Sequence, residues 1–223
     1  LSVSYNKMLE RLSEAFKIQR QFTENAAHEL RTPLSLMQIQ LDLYNSSKHP
    51  GNDADTIQTI KMVTEQNESL SKMVKTLLDM SELQTVGRDE TIIVNALIDE
   101  VLADLEPLAQ EKNIKLIGKC KDVNMVGSDI LIYRLVYNLV ENAIKYNHSG
   151  GQVIVEAYQK EKQVYLSVED TGSGIPEELK ERVFEPFFRV DKSRSRELGG
   201  VGLGLALVNE IVRVHDGSIA IRP

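Results

Sequence analysis

His28 stands in the run AAHELRTPL and is followed by Glu29, Arg31 and Thr32. A lone histidine on a helix is ordinarily a surface residue. Here an imidazole facing outward has a free nitrogen to act as a nucleophile. An adjacent carboxylate can hold the proton on the other nitrogen, which fixes the tautomer and raises nucleophilicity. Thr32 lies one helical turn on and projects the same way, so its hydroxyl could position a water. The second stretch is NLVENAIKYN, residues 138–147. Asn138, Asn142 and Lys145 share a face at helical spacing, and asparagine inside an apolar helix needs a reason because it lowers helix stability. One reason is a satisfied hydrogen bond in the core. The other is a ligand face, with amide oxygens for a hard cation and an ammonium for phosphate. The third stretch, DTGSGIP at 170–176, puts Gly172 and Gly174 in a bare, tight turn. Alone it is an ordinary loop, though Asp170 could accept a hydrogen bond from an adenine amino group. The fourth, GGVGLGLALV at 199–208, has glycines at 199, 200, 202 and 204 leading into a helix. Bare amides at a helix N-terminus can cradle phosphate. No Gly-Lys-Ser/Thr follows and no strand leads straight in, so neither a Walker loop nor a dinucleotide fingerprint is present.

The elements that hold these stretches can be read from periodicity. The first 47 residues predict one long helix. Leu1, Tyr5, Met8, Leu12, Ala15, Gln19, Phe22 and Ala26 alternate by four and three, which is a coiled-coil seam. A second seam runs through Leu30, Leu34, Met37, Leu41 and Tyr44. The steps Phe22 to Ala26 to Leu30 are two successive fours, a stutter that locally unwinds a supercoil. Pro33 just beyond it removes a backbone donor and should kink the helix. His28 falls off the seam. KHPGND (48–53) predicts a turn, and a second helix follows from about Asp55 to Gln84 with a seam at Ile60, Val63, Asn67, Leu70, Val74 and Leu77. Two such helices make an antiparallel hairpin, and pairing with a second copy into a four-helix bundle covers the remaining apolar stripe. A purely structural coiled coil would explain this part equally well.

Beyond a polar linker at 85–90 the pattern becomes mixed. Strands are predicted at Thr91–Val94, Ile114–Gly118, Asn124–Val126, Val153–Tyr158, Val164–Val168 and Ser218–Ile221, and helices at Asn95–Lys112, Ser128–Tyr146 and Val201–Val214. Ser128 reads as an N-cap. Without strict βαβ alternation, this predicts an α+β sandwich in which helices cover one face of a mostly antiparallel sheet. At 42% hydrophobic and 26% charged the chain is of globular class. Its net charge of −7 argues against a nucleic-acid partner, which would need a basic face. Cys120 is the only cysteine, so no internal disulfide can form. No apolar run reaches the length of a membrane span and no signal peptide is visible. The chain opens without Met inside a helical pattern, which predicts part of a longer protein.

In this order the four stretches resemble the histidine, asparagine and two glycine boxes of the sensor histidine kinases, with VFEPFFRVDKSRSR (183–196) as the phenylalanine box. The resemblance spans nearly the whole chain, and residues 1–27 look like the end of a HAMP signalling module. It implies a signalling helix at 1–20, a dimerisation and phosphotransfer hairpin at 21–84, a linker at 85–90, and a catalytic domain of the Bergerat ATP-binding fold at 91–223. By matching position, His28 would be the phosphoacceptor, Glu29 its acid/base partner, and Thr32 the residue that aids dephosphorylation of the partner. Asn142, assisted by Asn138, would bind magnesium. Lys145 would meet the ATP phosphates, Tyr146 would stack near the adenine, and Asp170 would read its amino group. Gly172, Gly174, Gly202 and Gly204 would shape the pocket, with 184–200 as a mobile lid. The implied partners are a second copy of the chain and an aspartate on a response regulator. This part would be cytoplasmic, without membrane contact of its own, in a longer protein anchored in the cell membrane. Two departures stand out. Val201 occupies a position where the family usually has Thr or Ser, and the chain stops at HDGSIAIRP, before the family's last strand. The rival readings are an ATPase of the wider Bergerat group, which would leave His28 idle, and a dimeric signalling scaffold, which would leave the Asn, Asp and Gly positions idle.

Overall fold

The computed structural model describes residues 2–46, 53–83, 85–190 and 201–222. The predicted turn at 48–53 lies almost wholly outside these residues, as do Gly199, Gly200 and most of the lid. The seam side chains Leu1, Tyr5, Met8 and Ala15 are likewise outside them. By internal contacts the chain forms two compact units, Leu1–Lys75 and Thr76–Pro223.

The first unit is built from helix α1 (Ser2–Ser46) and most of helix α2 (Asp53–Glu82). α1 runs without interruption through Pro33. Near the turn the helices are tied by a hydrogen bond of 3.0 Å between the Tyr44 and Thr56 hydroxyls. The seam divides in two. Leu30, Met37 and Tyr44 on α1 and Val63 and Leu70 on α2 are half-buried. The alternating members Leu34, Leu41, Ile60 and Val74 stay exposed, Leu34 at 51% and Ile60 at 60%. A heptad seam presents two apolar rows. In this hairpin one row is partly covered and the other is open.

The second unit begins with the last turns of α2. Leu83 belongs to its core, and Met80 and Val86 pack against that core. Asp79 bonds Arg134 at 2.9 Å. The order then runs β1 (Glu90–Ile93), α3 (Val94–Glu111), β2 (Lys115–Cys120), β3 (Asn124–Gly127), α4 (Asp129–Lys145), β4 (Gln152–Lys160), β5 (Gln163–Asp170) and α5 (Gly204–Val214), with two short 3-10 turns at Glu177–Leu179 and Arg182–Phe184. β1 pairs antiparallel with β3 as a two-stranded ribbon. A second sheet has the order β2-β4-β5. β4 and β5 form the predicted hairpin, whereas β2 and β4 run parallel. In place of the expected mostly antiparallel sheet, the described residues form two sheets with one parallel pairing.

α3 and α4 pack on the larger sheet and α5 packs against α4, because each carries an apolar stripe at helical spacing. On α3 it is Val94, Leu97, Ile98, Val101, Leu105 and Ala109. On α4 it includes Leu131, Leu135, Val136, Val140 and Ile144, and on α5 Ala206, Leu207, Val208 and Ile211. Opposite them, Val153, Val155 and Ala157 of β4 are buried at period two. Each fully buried Val, Leu or Ile contributes about 1.5–3 kcal/mol. α3 and α4 are also tied at their surface, where the Tyr133 hydroxyl donates to Asp104 at 2.5 Å. The predicted strand Ser218–Ile221 is not formed, and those residues have no regular secondary structure.

Candidate functional site

In the first unit His28 is exposed on α1, Glu29 is half-buried, and Thr32 is exposed. Successive helical residues project about 100° apart, so Glu29 lies on the neighbouring face of the helix. The Thr32 hydroxyl, expected to point outward toward a water, donates to the His28 backbone carbonyl at 3.2 Å. This is the common back-bond of a helical threonine. Pro33 beside it has no N–H to offer the Glu29 carbonyl, so the backbone around His28 departs from the regular ladder.

In the second unit the site grows from α4. Asn138 and Asn142 lie one turn apart on one face. The Asn138 amide nitrogen donates to the Arg134 carbonyl at 2.7 Å. That turns its oxygen toward Gly204, where a Cβ would come within 2.9 Å of Asn138 Oδ1 and 3.7 Å of Asn142 Nδ2. Only a bare Cα lets the N-terminus of α5 sit so close to this pair. The structure thus brings Asn138, Asn142 and Gly204 together. Lys145, one further turn along, is not simply held out for an anion. Its ammonium bonds Glu141 at 2.9 Å, with 16% and 11% of the two side chains exposed. Glu141 was not singled out from the sequence. The available signal was its place four residues before a lysine, the favourable orientation for a helical pair.

At the C-terminal end of α4, Tyr146 meets the DTGSG turn. Its carbonyl accepts from the Ser173 amide at 3.4 Å, and a Cβ on Gly172 would fall 2.6 Å from that same oxygen. Asp170, the last residue of β5, accepts from the Gly172 amide at 2.8 Å and so shapes the turn itself. The turn is fastened by a network that sequence reasoning missed. The Thr171 hydroxyl donates to Asn147 Oδ1 and accepts from the Gln152 amide, both at 3.0 Å. Asn147 Nδ2 donates to the Gln152 carbonyl at 3.1 Å. Asn and Thr in turns are so common that nothing in the sequence marked these two.

Gly174 takes φ +67° with open space around it. Gly202 takes φ +78°, and a Cβ there would strike the Phe188 carbonyl at 2.6 Å. The Phe187 amide donates to the Gly202 carbonyl at 2.8 Å. The Arg182 guanidinium lies 4.4 Å from the Phe188 ring centroid. A concavity of about 360 Å³ lies elsewhere, lined by Lys119, Lys121, Glu156, Ala157 and Tyr158, and contains none of the motif residues. Burial pushes the Cys120 thiol up, which favours its protonated form. Among the described residues no group of three His, Cys, Asp or Glu could hold a metal ion.

Known proteins agree with this arrangement. The family described as "His Kinase A (phospho-acceptor) domain" matches residues 18–86. "Histidine kinase-, DNA gyrase B-, and HSP90-like ATPase" matches residues 127–223. The sensor histidine kinase RppB of Synechocystis is 35% identical over 215 residues, 93% of this chain and 47% of RppB. The signal transduction histidine-protein kinase ArlS of Staphylococcus aureus is 33% identical and half covered. The chain thus spans about half the length of these curated relatives. Among solved structures, the mycobacterial sensor histidine kinase MprB is 30% identical, with a TM-score of 0.51, over 59% of this chain and 83% of that one. The matched segments take in both the hairpin and the second unit, and the chain belongs to the sensor histidine kinases.

Proposed function

We propose that this chain uses ATP to phosphorylate His28 and passes the phosphoryl group to an aspartate of a separate response regulator. The observation that carries the ATP site is Gly204 seated over Asn138 and Asn142. There, bare backbone at a helix N-terminus faces two amide side chains. Amides at such a terminus suit phosphate oxygens, and amide oxygens are hard donors suited to magnesium. A magnesium ion that draws most of its ligands from nucleotide phosphates and water needs only one or two from the protein, which fits a site without a carboxylate cluster. Asn142, assisted by Asn138, would hold it, and when bound it offsets charge on the β- and γ-phosphates. Lys145 adds a cation, shared with Glu141. Tyr146 flanks the adenine and Asp170 reads its amino group. Gly172, Gly174 and Gly202 keep the walls bare.

The free imidazole nitrogen of His28 attacks the γ-phosphorus in line as the bond to the ADP oxygen breaks, and Glu29 acts as its acid/base partner. A phosphohistidine is a reactive carrier, which suits transfer to an aspartate. Thr32 would aid loss of phosphate from the regulator, after its hydroxyl leaves the His28 carbonyl. The exposed seam row at Leu34, Leu41, Ile60 and Val74 suits a second copy, completing a four-helix bundle. The functional division we infer is a signalling helix at 1–20, the phosphotransfer hairpin at 21–84, the linker at 85–90 and the catalytic domain at 91–223. Within the described residues no helix is long and apolar enough to cross a membrane, and anchoring would belong to a longer protein.

The test is labelling with ATP carrying a labelled γ-phosphate. Wild type should gain an acid-labile, base-stable label, and His28→Gln should gain none while its fold is unchanged. A label that persists in His28→Gln places the acceptor elsewhere. No label in wild type, with steady ATP hydrolysis, would favour a plain ATPase.

A further inference from the structure

We propose that His215 is a positioning residue for the nucleotide site: its neutral ring joins the C-terminal end of α5 to the N-terminal end of α4 and sets the register in which Gly204 meets Asn138. The inference deepens the ATP-binding reading and rests on it. His215 follows directly on α5 and caps it, its amide donating to the Ile211 and Val212 carbonyls at 3.3 and 3.2 Å. Its Nδ1 lies 2.8 Å from the Ile211 carbonyl oxygen, and its Nε2 lies 3.1 Å from the Ser128 backbone nitrogen. A carbonyl can only accept and an amide N–H can only donate. Nδ1 therefore carries the single ring proton and Nε2 offers a lone pair. Ser128 is 1% exposed, so its amide has no water to turn to.

The surroundings are built for the contact. β3 ends at Gly127, where a Cβ would stand 2.9 Å from the His215 ring. The next amide, that of Asp129, is taken by the Glu90 carboxylate at 2.9 Å. The N-terminus of α4 is thus held by side chains from two distant parts of the chain, and one of them comes from α5. The start of α5 and the second half of α4 hold the proposed site. From Ser128 to Asn138 is about 15 Å of helix, and from Gly204 to His215 about 16 Å, at 1.5 Å per residue. The helices therefore run antiparallel, fastened by the ring at Ser128 and meeting again where Gly204 abuts Asn138. Among the described residues the ring is a polar tie between the two helices, and the rest of their contact includes the apolar Ala206, Leu207, Val208 and Ile211.

The experiment uses the 223-residue chain. Binding of ADP with magnesium is measured calorimetrically for wild type, His215→Ala, His215→Gln and the core variant Val208→Ala, each with its melting temperature. Glutamine keeps one donor and one acceptor on a single side chain. His215→Ala should weaken ADP about tenfold, the scale of one lost buried hydrogen bond, and His215→Gln should recover to within about threefold. Val208→Ala, which loosens the core without touching the bridge, should lose less affinity than His215→Ala at an equal loss of melting temperature. If His215→Ala and Val208→Ala fall on one line of affinity against stability, or glutamine restores nothing, the positioning role is overturned. Nitrogen NMR of the nucleotide-free wild type decides independently of any variant's folding. A neutral ring protonated at Nδ1, with a scalar coupling across the Ser128 N–H to Nε2 bond, is expected, and a ring protonated at Nε2 overturns the bridge. Wild type that fails to bind ADP while showing this bridge would sink the ATP-site reading instead.

Discussion

Gly204→Ala separates stability from chemistry at one atom. The added methyl would stand 2.9 Å from Asn138 Oδ1, against an ordinary contact limit near 3.4 Å. The Asn138 amide must therefore retreat by about 0.5 Å, weakening its 2.7 Å bond to the Arg134 carbonyl, an interaction worth about 1 kcal/mol. Alanine in place of glycine returns up to about 1 kcal/mol of helix propensity at the start of α5. The two nearly cancel, and the melting temperature should move by no more than about 3 °C. The site has no such compensation, because the methyl occupies the bare approach between the α5 terminus and the two asparagines. Misplacement of about 1 Å costs on the order of a hundredfold in rate, so a loss of about tenfold to a hundredfold in His28 labelling is expected here. The assay is the initial rate of labelling from γ-labelled ATP across ATP concentrations, with a melting curve on the same preparation. A wild-type rate and KM in Gly204→Ala would refute the placement of phosphate at this glycine. A fall in melting temperature of about 10 °C would show instead that the close packing serves the fold.

Three further outcomes are expected. Asn142→Ala should abolish labelling while the protein still sediments as a homodimer at micromolar concentration, because the proposed interface is the exposed seam of the hairpin; normal labelling in a folded Asn142→Ala chain, or a monomeric wild type, contradicts those assignments. Thr32→Ala removes one back-bond from a helix surface and should change stability by less than about 0.5 kcal/mol; it should keep labelling and phosphotransfer but slow loss of phosphate from the regulator, and equal decay with wild type, variant and no kinase would leave Thr32 only its bond to the His28 carbonyl. Burial first, and then the Asp104 carboxylate, push the Tyr133 phenol up. A raised tyrosine favours the neutral ring in the folded state, so its stabilisation is present below about pH 10 and is lost as the pH rises beyond it. Tyr133→Phe should lose about 1 kcal/mol at neutral pH and show a shallower alkaline decline in urea unfolding than wild type; parallel declines would count against the linkage.

The helices and the motif-bearing face of α4 were legible in the sequence because they are local. Hydrogen bonds four residues apart and a 3.6-residue period make Asn138 and Asn142 neighbours whatever surrounds them. The β4–β5 hairpin was legible for a similar reason, its two alternating runs being joined by a short turn. The structure alone decided matters of partnership between distant segments. That β2 lies parallel to β4 cannot be read from either strand, since a strand's neighbour is chosen by packing. Residues 218–221 have a strand-like composition yet form no strand, because a strand exists only when paired and none of the described strands takes them up. Side-chain partners behaved likewise. The Lys145 ammonium lies on Glu141, the Thr32 hydroxyl on the His28 carbonyl, and Thr171 on Asn147. His215, which in the sequence is one histidine in a turn, is joined to Ser128 across 87 residues. The chemistry-bearing residue types belong to the sequence, whereas their orientation depends on which buried donor and acceptor each must satisfy, and only the folded chain brings those together.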